Sequence, residues 1–438
     1  MTEPPTAERK RPLRIGIIGA GISGLSAAWF LAGRGHRVEV FERAPAVGGL
    51  ISTADLNGLR VDRFYHFLCL QDTGYFQLCA ELGLAEKIRF VKARTGFYHE
   101  GNEHSFTSPL DLLRFSAIPL LQRLRFGLFA LEARYRREWR QLDELVGRPW
   151  LIDRIGQRAY DVIWHPLLSL KFGELHDRIS AAWVWHRLHR VARSKGKHGY
   201  LEGGGTSLLL DTLIEGLVER KVEIRLGQGI EHLEVEDGRV RGLRLAEGGS
   251  FECDRVVSSL PFPIVAGLLP PGWESYSEAL QRVDYIGVVC VVLKLKRRCS
   301  RYFWYNVHDS RVPFNGLIEY TNLNPLGGQD HVVYVPYYVA TDRPLYRADE
   351  ETIFEQTWQG VKLVSSSLED SDLLSWRVFR APFAQAICPT GFLKQLPSPR
   401  SPIQGLHLLD SAFLYPEDRS QSGLILRALE RVEDLERA

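Results

Sequence analysis

No window of the 438-residue sequence reaches the roughly 20 consecutive apolar residues that a membrane-spanning helix requires. The opening MTEPPTAERKRP is polar and proline-rich, and the apolar run after it is broken by Gly19, Gly21 and Gly24, so the pattern of a secretory signal is missing too. Cysteine is sparse and dispersed. Cys69, Cys79, Cys253, Cys290, Cys299 and Cys388 form no CxxC pair, which argues against a disulfide scaffold and a structural zinc site and points to reduced thiols in the cytoplasm. The thirteen histidines contain no HExxH or other metal spacing, so no metal is expected. A formal charge of only +2 supplies no general attraction to nucleic acid, which is therefore not expected as a partner. There is no tandem repeat or low-complexity tract, which excludes a solenoid.

What is present is an ordinary globular composition, 45% hydrophobic and 25% charged, on a chain long enough for two structural domains. Leu13 to Glu42 reads LRIGIIGAGISGLSAAWFLAGRGHRVEVFE: an apolar strand, a glycine turn, a helix of small residues and a second strand. This is a βαβ unit. Gly19, Gly21 and Gly24 have the spacing GxGxxG, in which the first permits a tight turn, the second admits a pyrophosphate and the third lets helix and sheet pack closely. The N–H groups that open the helix then face the phosphates. Glu42 ends the second strand 18 residues after Gly24, where a carboxylate can accept hydrogen bonds from the ribose hydroxyls of an adenosine.

Arg43, Gly48-Gly49, Ser52-Thr53 and Asp62 follow. Over residues 13–66 the sequence resembles the extended flavin signature of the amine oxidase, protoporphyrinogen oxidase and phytoene desaturase superfamily. The resemblance implies FAD as cofactor, with Arg43, Gly48 and Gly49 continuing the pyrophosphate site; it departs at Leu50, where many members have arginine. It further implies that Ile230 in GQGIEHL places its backbone beside the adenine edge and that RVVSSLPFP crosses beside the flavin phosphates. Asp410 would contact the ribityl or phosphate region, preceded by Leu409 where the family usually has glycine. The helix beginning near Ser422 and Gly423 would point its positive end at the pyrimidine end of the isoalloxazine.

The fold class that follows is α/β: a Rossmann-type FAD-binding domain with an inserted α+β substrate domain. The cofactor domain is expected to be discontinuous, from 13–66, 199–262 and 386–438, with 67–198 and 263–385 building the substrate domain. In the first insert, PLDLLRFSAIPLLQRLRFGLFALEARYRREW predicts helices; in the second, DYIGVVCVVLKLKRR and HVVYVPYYVA predict a sheet.

A flavin performs the difficult chemistry, accepting a hydride at N5, so the protein need only place a C–H bond there and exclude water. The expected activity is that of an FAD-dependent oxidoreductase resembling protoporphyrinogen oxidase or a desaturase, acting on an apolar or cyclic small molecule. A flavin-dependent isomerase or mutase, an amine oxidase and a non-catalytic flavin-binding subunit are the alternatives, and the electron acceptor is left open. Many amine oxidases hold a water near N5 with a strand lysine; in YIGVVCVVLKLKRRCSRYFW the corresponding position is Cys290, with Lys294 on the same face. Tyr415, five residues after Asp410, resembles the aromatic beside the flavin ring, and Lys171 and His66 are further polar candidates. Trp164, Trp183, Trp185 and Trp304 are candidate substrate-facing aromatics. Finally, residues 114–140 hold seven arginines and two acids among leucines. That segment is expected to pack on the substrate domain, with a weak peripheral membrane contact as the other reading.

Overall fold

The computed structural model describes residues 11–417 and 419–437. Strand β1 (Arg14–Ile18), helix α1 (Ile22–Gly33) and strand β2 (Arg37–Glu42) form the expected βαβ unit, with β1 and β2 parallel and in continuous register from Arg14↔Arg37 to Ile18↔Phe41. Three more parallel strands complete the sheet, in the order Leu406–Leu408, Arg255–Ser258, β1, β2, Glu223–Leu226. All five strands come from the three segments expected to form the cofactor domain.

β1 reads RIGII without alternation because both of its faces are covered. One face meets α1, which itself packs against α9 (Thr206–Glu219) and the C-terminal helix Gln421–Arg437. The other meets a three-stranded antiparallel sheet from residues 230–252. Gly16 makes that approach possible: a methyl group there would lie 2.9 Å from Leu243 and 3.3 Å from Phe251.

The boundary expected at 66/67 is displaced. Helix α2 (Thr73–Glu81) packs on the C-terminal helix, and Leu68, Tyr75, Leu78, Cys79 and Leu84 enter the same core as Ile15, Leu25 and Ile425. α2 lies within the 67–198 span expected for the insert, but it closes the nucleotide layer.

The second layer is a seven-stranded mixed sheet in which Tyr285–Leu295 and His331–Val339 are neighbours, second and third from one edge, paired antiparallel from Gly287↔Val339 to Leu295↔His331. These are the two strands predicted for the insert. Against this framework lie the helices of residues 109–193: α3 (Pro109–Arg114), α4 (Leu120–Tyr135), α5 (Gly147–Ile155), the short α6 (Gln157–Ala159), α7 (His165–Phe172) and α8 (Ala181–Arg193). α4 and α5 both pack on α8, and α7 reaches strand His331–Val339. Among the described residues, no helix is long and apolar enough to cross a membrane.

Candidate active site

A cleft runs from the glycine turn to the seven-stranded sheet. At the nucleotide end, three glycines have different tasks. Gly19 has φ +99°, and a side chain there would meet Ser259 Oγ at 2.5 Å. A methyl at Gly24 would lie 2.0 Å from the Gly19 carbonyl oxygen, closer than any van der Waals contact allows. Gly21 differs: no protein atom lies within 4 Å of where its methyl would be, so that space opens on the cleft. α1 starts here with no side-chain cap and no acid in its first turn, which leaves its N–H dipoles for an anion. Gly48 has φ +110° and donates its N–H to the Ala20 carbonyl at 2.8 Å; Gly49 has φ +54° and lines the same wall. These features fit a dinucleotide pyrophosphate.

Glu42 also lines the cleft. Its carboxylate accepts from the N–H of Ala20 (2.9 Å) and of Ala44 (2.8 Å), one on each oxygen, so it braces the turn from the cleft wall. Arg43 is exposed, its stem near Gly229, and is not part of the cleft wall. Ile230, expected beside the adenine edge, starts a strand, pairs with Leu245 and is not among the residues that line the cleft.

Asp410 reaches the cleft at the end of strand Leu406–Leu408. Its carboxylate is buried and accepts from the N–H of Ala412 (2.6 Å), the N–H of Phe262 (2.9 Å) and the hydroxyl of Tyr285 (2.5 Å). Burial pushes its pKa up to about 6, against the three hydrogen bonds that favour the anion. Asp410 thus ties a cofactor-domain strand to the first residue of the long insert strand. Nearby, Ser420, Gln421 and Ser422 bring the start of the C-terminal helix to the cleft. Gly423 lies just behind: its N–H bonds Ser420 Oγ at 2.8 Å, and a methyl would meet Leu414 and Glu417 at 3.1 Å. Its task is close packing of the helix start.

Across the cleft the wall is aromatic. Tyr65, Phe67, Trp304, Tyr338 and Phe383 line it, with Tyr65 edge-on to Trp304 at 5.5 Å between ring centres. Lys171 is buried in this wall, Nζ 4.4 Å from the centre of the Tyr338 ring and 5.0 Å from that of Trp183. Arg419 donates to the Tyr338 hydroxyl at 2.5 Å and to the Ala384 carbonyl at 2.8 Å. His66 also lines the cleft, Nδ1 3.4 Å from Asp62. Two of the weaker candidates, Lys171 and His66, are therefore brought together with the glycine turn.

Tyr415 is not. It is buried away from the cleft, its hydroxyl 2.6 Å from both Asp143 and Ser180, and its ring packs on Trp139 and Phe392. Burial and the Asp143 carboxylate both raise its pKa, so it is a fixed hydrogen-bonding junction between layers. Of the four candidate tryptophans only Trp304 is in the wall; Trp164, Trp183 and Trp185 are core residues. Cys290 is buried in the sheet with its thiol pKa raised by burial, and Lys294 bonds the Asn57 carbonyl and Asp330 at the surface; neither lines the cleft. Tyr338 and Arg419 were not singled out from sequence. The alternation Tyr334, Pro336, Tyr338 in HVVYVPYYVA carries part of the signal, because one strand face holds all three and the last two line the cleft.

The comparisons agree with this geometry. The chain is 24% identical over 316 residues to a 15-cis-phytoene desaturase of Synechococcus elongatus, a match spanning 66% of each protein. The fold is similar to that of a putative protoporphyrinogen oxidase from Exiguobacterium sp., with a TM-score of 0.74 at 19% identity, covering 97% of this chain and 98% of that one. It is also similar to that of a reduced UDP-galactopyranose mutase, with a TM-score of 0.78 at 16% identity, covering 97% and 96%. Residues 22–412 match the flavin-containing amine oxidoreductase family, so the chain belongs to that family and is an FAD-dependent oxidoreductase.

Proposed function

We propose that this oxidoreductase removes a hydride from an apolar or cyclic organic substrate, in the manner of a desaturase or a protoporphyrinogen oxidase. The bound flavin would accept the hydride at N5. The observation that carries the reading is the aromatic wall of Tyr65, Phe67, Trp304, Tyr338 and Phe383 in the same cleft as the glycine turn. Such a wall buries apolar substrate and excludes water, while a few polar groups set its orientation. Gly21, Gly48 and Gly49 would line the pyrophosphate, Gly19 and Gly24 would shape the turn that receives it, and Glu42 would hold the ribose. Lys171, Arg419 and Tyr338 form a polar cluster at one side of the wall that orients the substrate. An amine is the weaker substrate class, because the sequence position that resembles the strand lysine of amine oxidases is Cys290. The phytoene desaturase relative supports an extended apolar substrate.

The six cysteines are unpaired and buried, which supports a cytoplasmic setting. We further propose a peripheral contact with lipid, from which a substrate of this class would be drawn.

The test is anaerobic titration of the purified yellow protein with polyenes, porphyrinogens and amines, followed by the flavin absorbance near its visible maximum. Bleaching by a polyene or porphyrinogen, with a desaturated product, is expected. Bleaching by amines alone would overturn the substrate class; an isomerised product with no net reduction would favour an isomerase or mutase.

A further inference from the structure

α4 carries two apolar stripes, and only one of them has a protein partner. Phe126, Phe129 and Ala133 are buried against the helical layer. Leu120, Leu121, Leu124, Leu128, Leu131 and Tyr135 point the other way, each between 49% and 69% exposed. At 3.6 residues per turn these six side chains fall within about 100° of the helix circumference, directly opposite the buried stripe. Leu110 and Leu113 of α3 extend the apolar surface. Of the fourteen strongly exposed large apolar side chains among the described residues, eight lie between 110 and 135, so this is a patch rather than scatter.

The arrangement is held in place. Arg123 donates to the carbonyls of Ile118 and Leu113, both at 2.7 Å, and fixes the elbow between α3 and α4. Arg125 donates to the carbonyls of Arg154 and Asp153 and pins α4 to α5. The charge around the leucines has one dominant sign. Arg114 precedes α4 and Arg137 follows it; both are exposed and make no ion pair among the described residues. Arg134 and Arg140 add to the rim, while Glu132 is paired with Arg136 at 2.7 Å.

We infer that the α3–α4 face docks on an anionic lipid surface, its leucines entering the acyl boundary and its arginines meeting the headgroups. The apolar stripe with a basic rim is the chemistry such a surface recognises. A second copy of this chain fits less well, since antiparallel pairing of two α4 helices would set Arg114 of one copy near Arg137 of the other. The face also stands beside the cleft. α4 packs on α8, with His189 Nδ1 2.7 Å from the Ala133 carbonyl, and α8 contributes Arg187 and Arg190 to the cleft wall. One helix therefore separates the docked face from the substrate. This delivery role rests on the proposed apolar substrate; the docking itself does not.

The experiment is flotation of the FAD-loaded protein with phosphatidylglycerol–phosphatidylcholine vesicles and with pure phosphatidylcholine vesicles, at low and high salt. Binding to the anionic vesicles that weakens with salt is expected. Leu121→Ser/Leu124→Ser/Leu128→Ser should reduce it at least tenfold while flavin content and circular dichroism stay unchanged. Arg114→Gln/Arg137→Gln should flatten the salt dependence. Absence of flotation at low salt, or flotation undiminished in the leucine variant, would overturn the proposal, as would a dimer that the leucine variant splits without any vesicle binding. Reduction of the flavin by detergent-solubilised polyene separates the two ideas: if it occurs without flotation, docking alone fails; if vesicles bind and no apolar substrate reduces the flavin, the substrate reading alone fails.

Discussion

The two sides of the cleft are built on opposite plans. The centre of the nucleotide side is local in sequence: Gly19, Gly21, Gly24 and Glu42 lie within one βαβ unit, and the fixed geometry of a strand, a turn and a helix start brings them together before Ser259 and Asp410 join from later segments. The substrate side is assembled from distant segments, with Tyr65, Lys171, Trp304, Tyr338 and Arg419 meeting only when the insert folds back. A local cradle tolerates few substitutions because backbone approaches backbone. A wall of side chains can change one ring at a time.

The largest effect that tests this contrast is expected from Gly24→Val. With a methyl already 2.0 Å from the Gly19 carbonyl, the helix cannot dock on the turn, and the variant should lose both flavin and cooperative unfolding. Gly21→Ala is the discriminating partner, since its methyl meets no protein atom. It should fold normally, with a melting temperature close to the parent's, yet bind FAD tenfold or more weakly in a titration. Normal affinity in Gly21→Ala would show that the pyrophosphate lies elsewhere.

Next in size is Tyr415→Phe. Removing a hydroxyl shared with Asp143 and Ser180 leaves buried partners unsatisfied and should lower unfolding free energy by about 1–3 kcal/mol in a denaturant titration. Flavin reduction by substrate should be unchanged; a catalytic loss without a stability loss would return Tyr415 to the active site.

Glu42→Ala should act on both properties at once. The side chain braces Ala20 and Ala44, so a stability loss of about 1 kcal/mol should accompany weaker FAD binding. Unchanged affinity would remove Glu42 from the ribose.

A last effect, read through its pH dependence, concerns Asp410. Its carboxyl is raised from 3.8 to about 6 in the folded protein, so folding favours its protonated form. That contribution is fully present below about pH 4 and is lost as pH rises through about 6. Asp410→Asn removes the titration: measured by thermal melts, the stability of the variant relative to the parent should rise between pH 4 and pH 6 and level off above. A flat difference would show that the carboxyl is not perturbed.

The same contrast explains what could be read from the sequence. The βαβ unit, the two neighbouring insert strands and the glycine turn follow from local patterns that fold geometry cannot scatter. Lys171 and His66 were visible as polar residues near the right segments. Tyr338 and Arg419 were hidden because their proximity depends on register between strands far apart in the chain. Tyr415 was misplaced for a physical reason: its position after Asp410 suggested nearness to the ring, but the short 3-10 turn Ser411–Leu414 intervenes, and the side chain turns into the interior toward Asp143. α2 falls within the 67–198 bounds expected for the insert, yet it packs on the nucleotide layer, because sequence bounds do not say which surface a short helix covers.

That last helix has a consequence for how the protein comes into being. The hydroxyl of Ser422, at the start of the C-terminal helix, accepts the N–H of Gly74 at 3.0 Å, joining positions 348 residues apart. At ribosomal speeds of about 5–20 residues per second, the second partner is made about 20–70 s after the first. Through that interval the flank of α2 that meets the C-terminal helix stays uncovered.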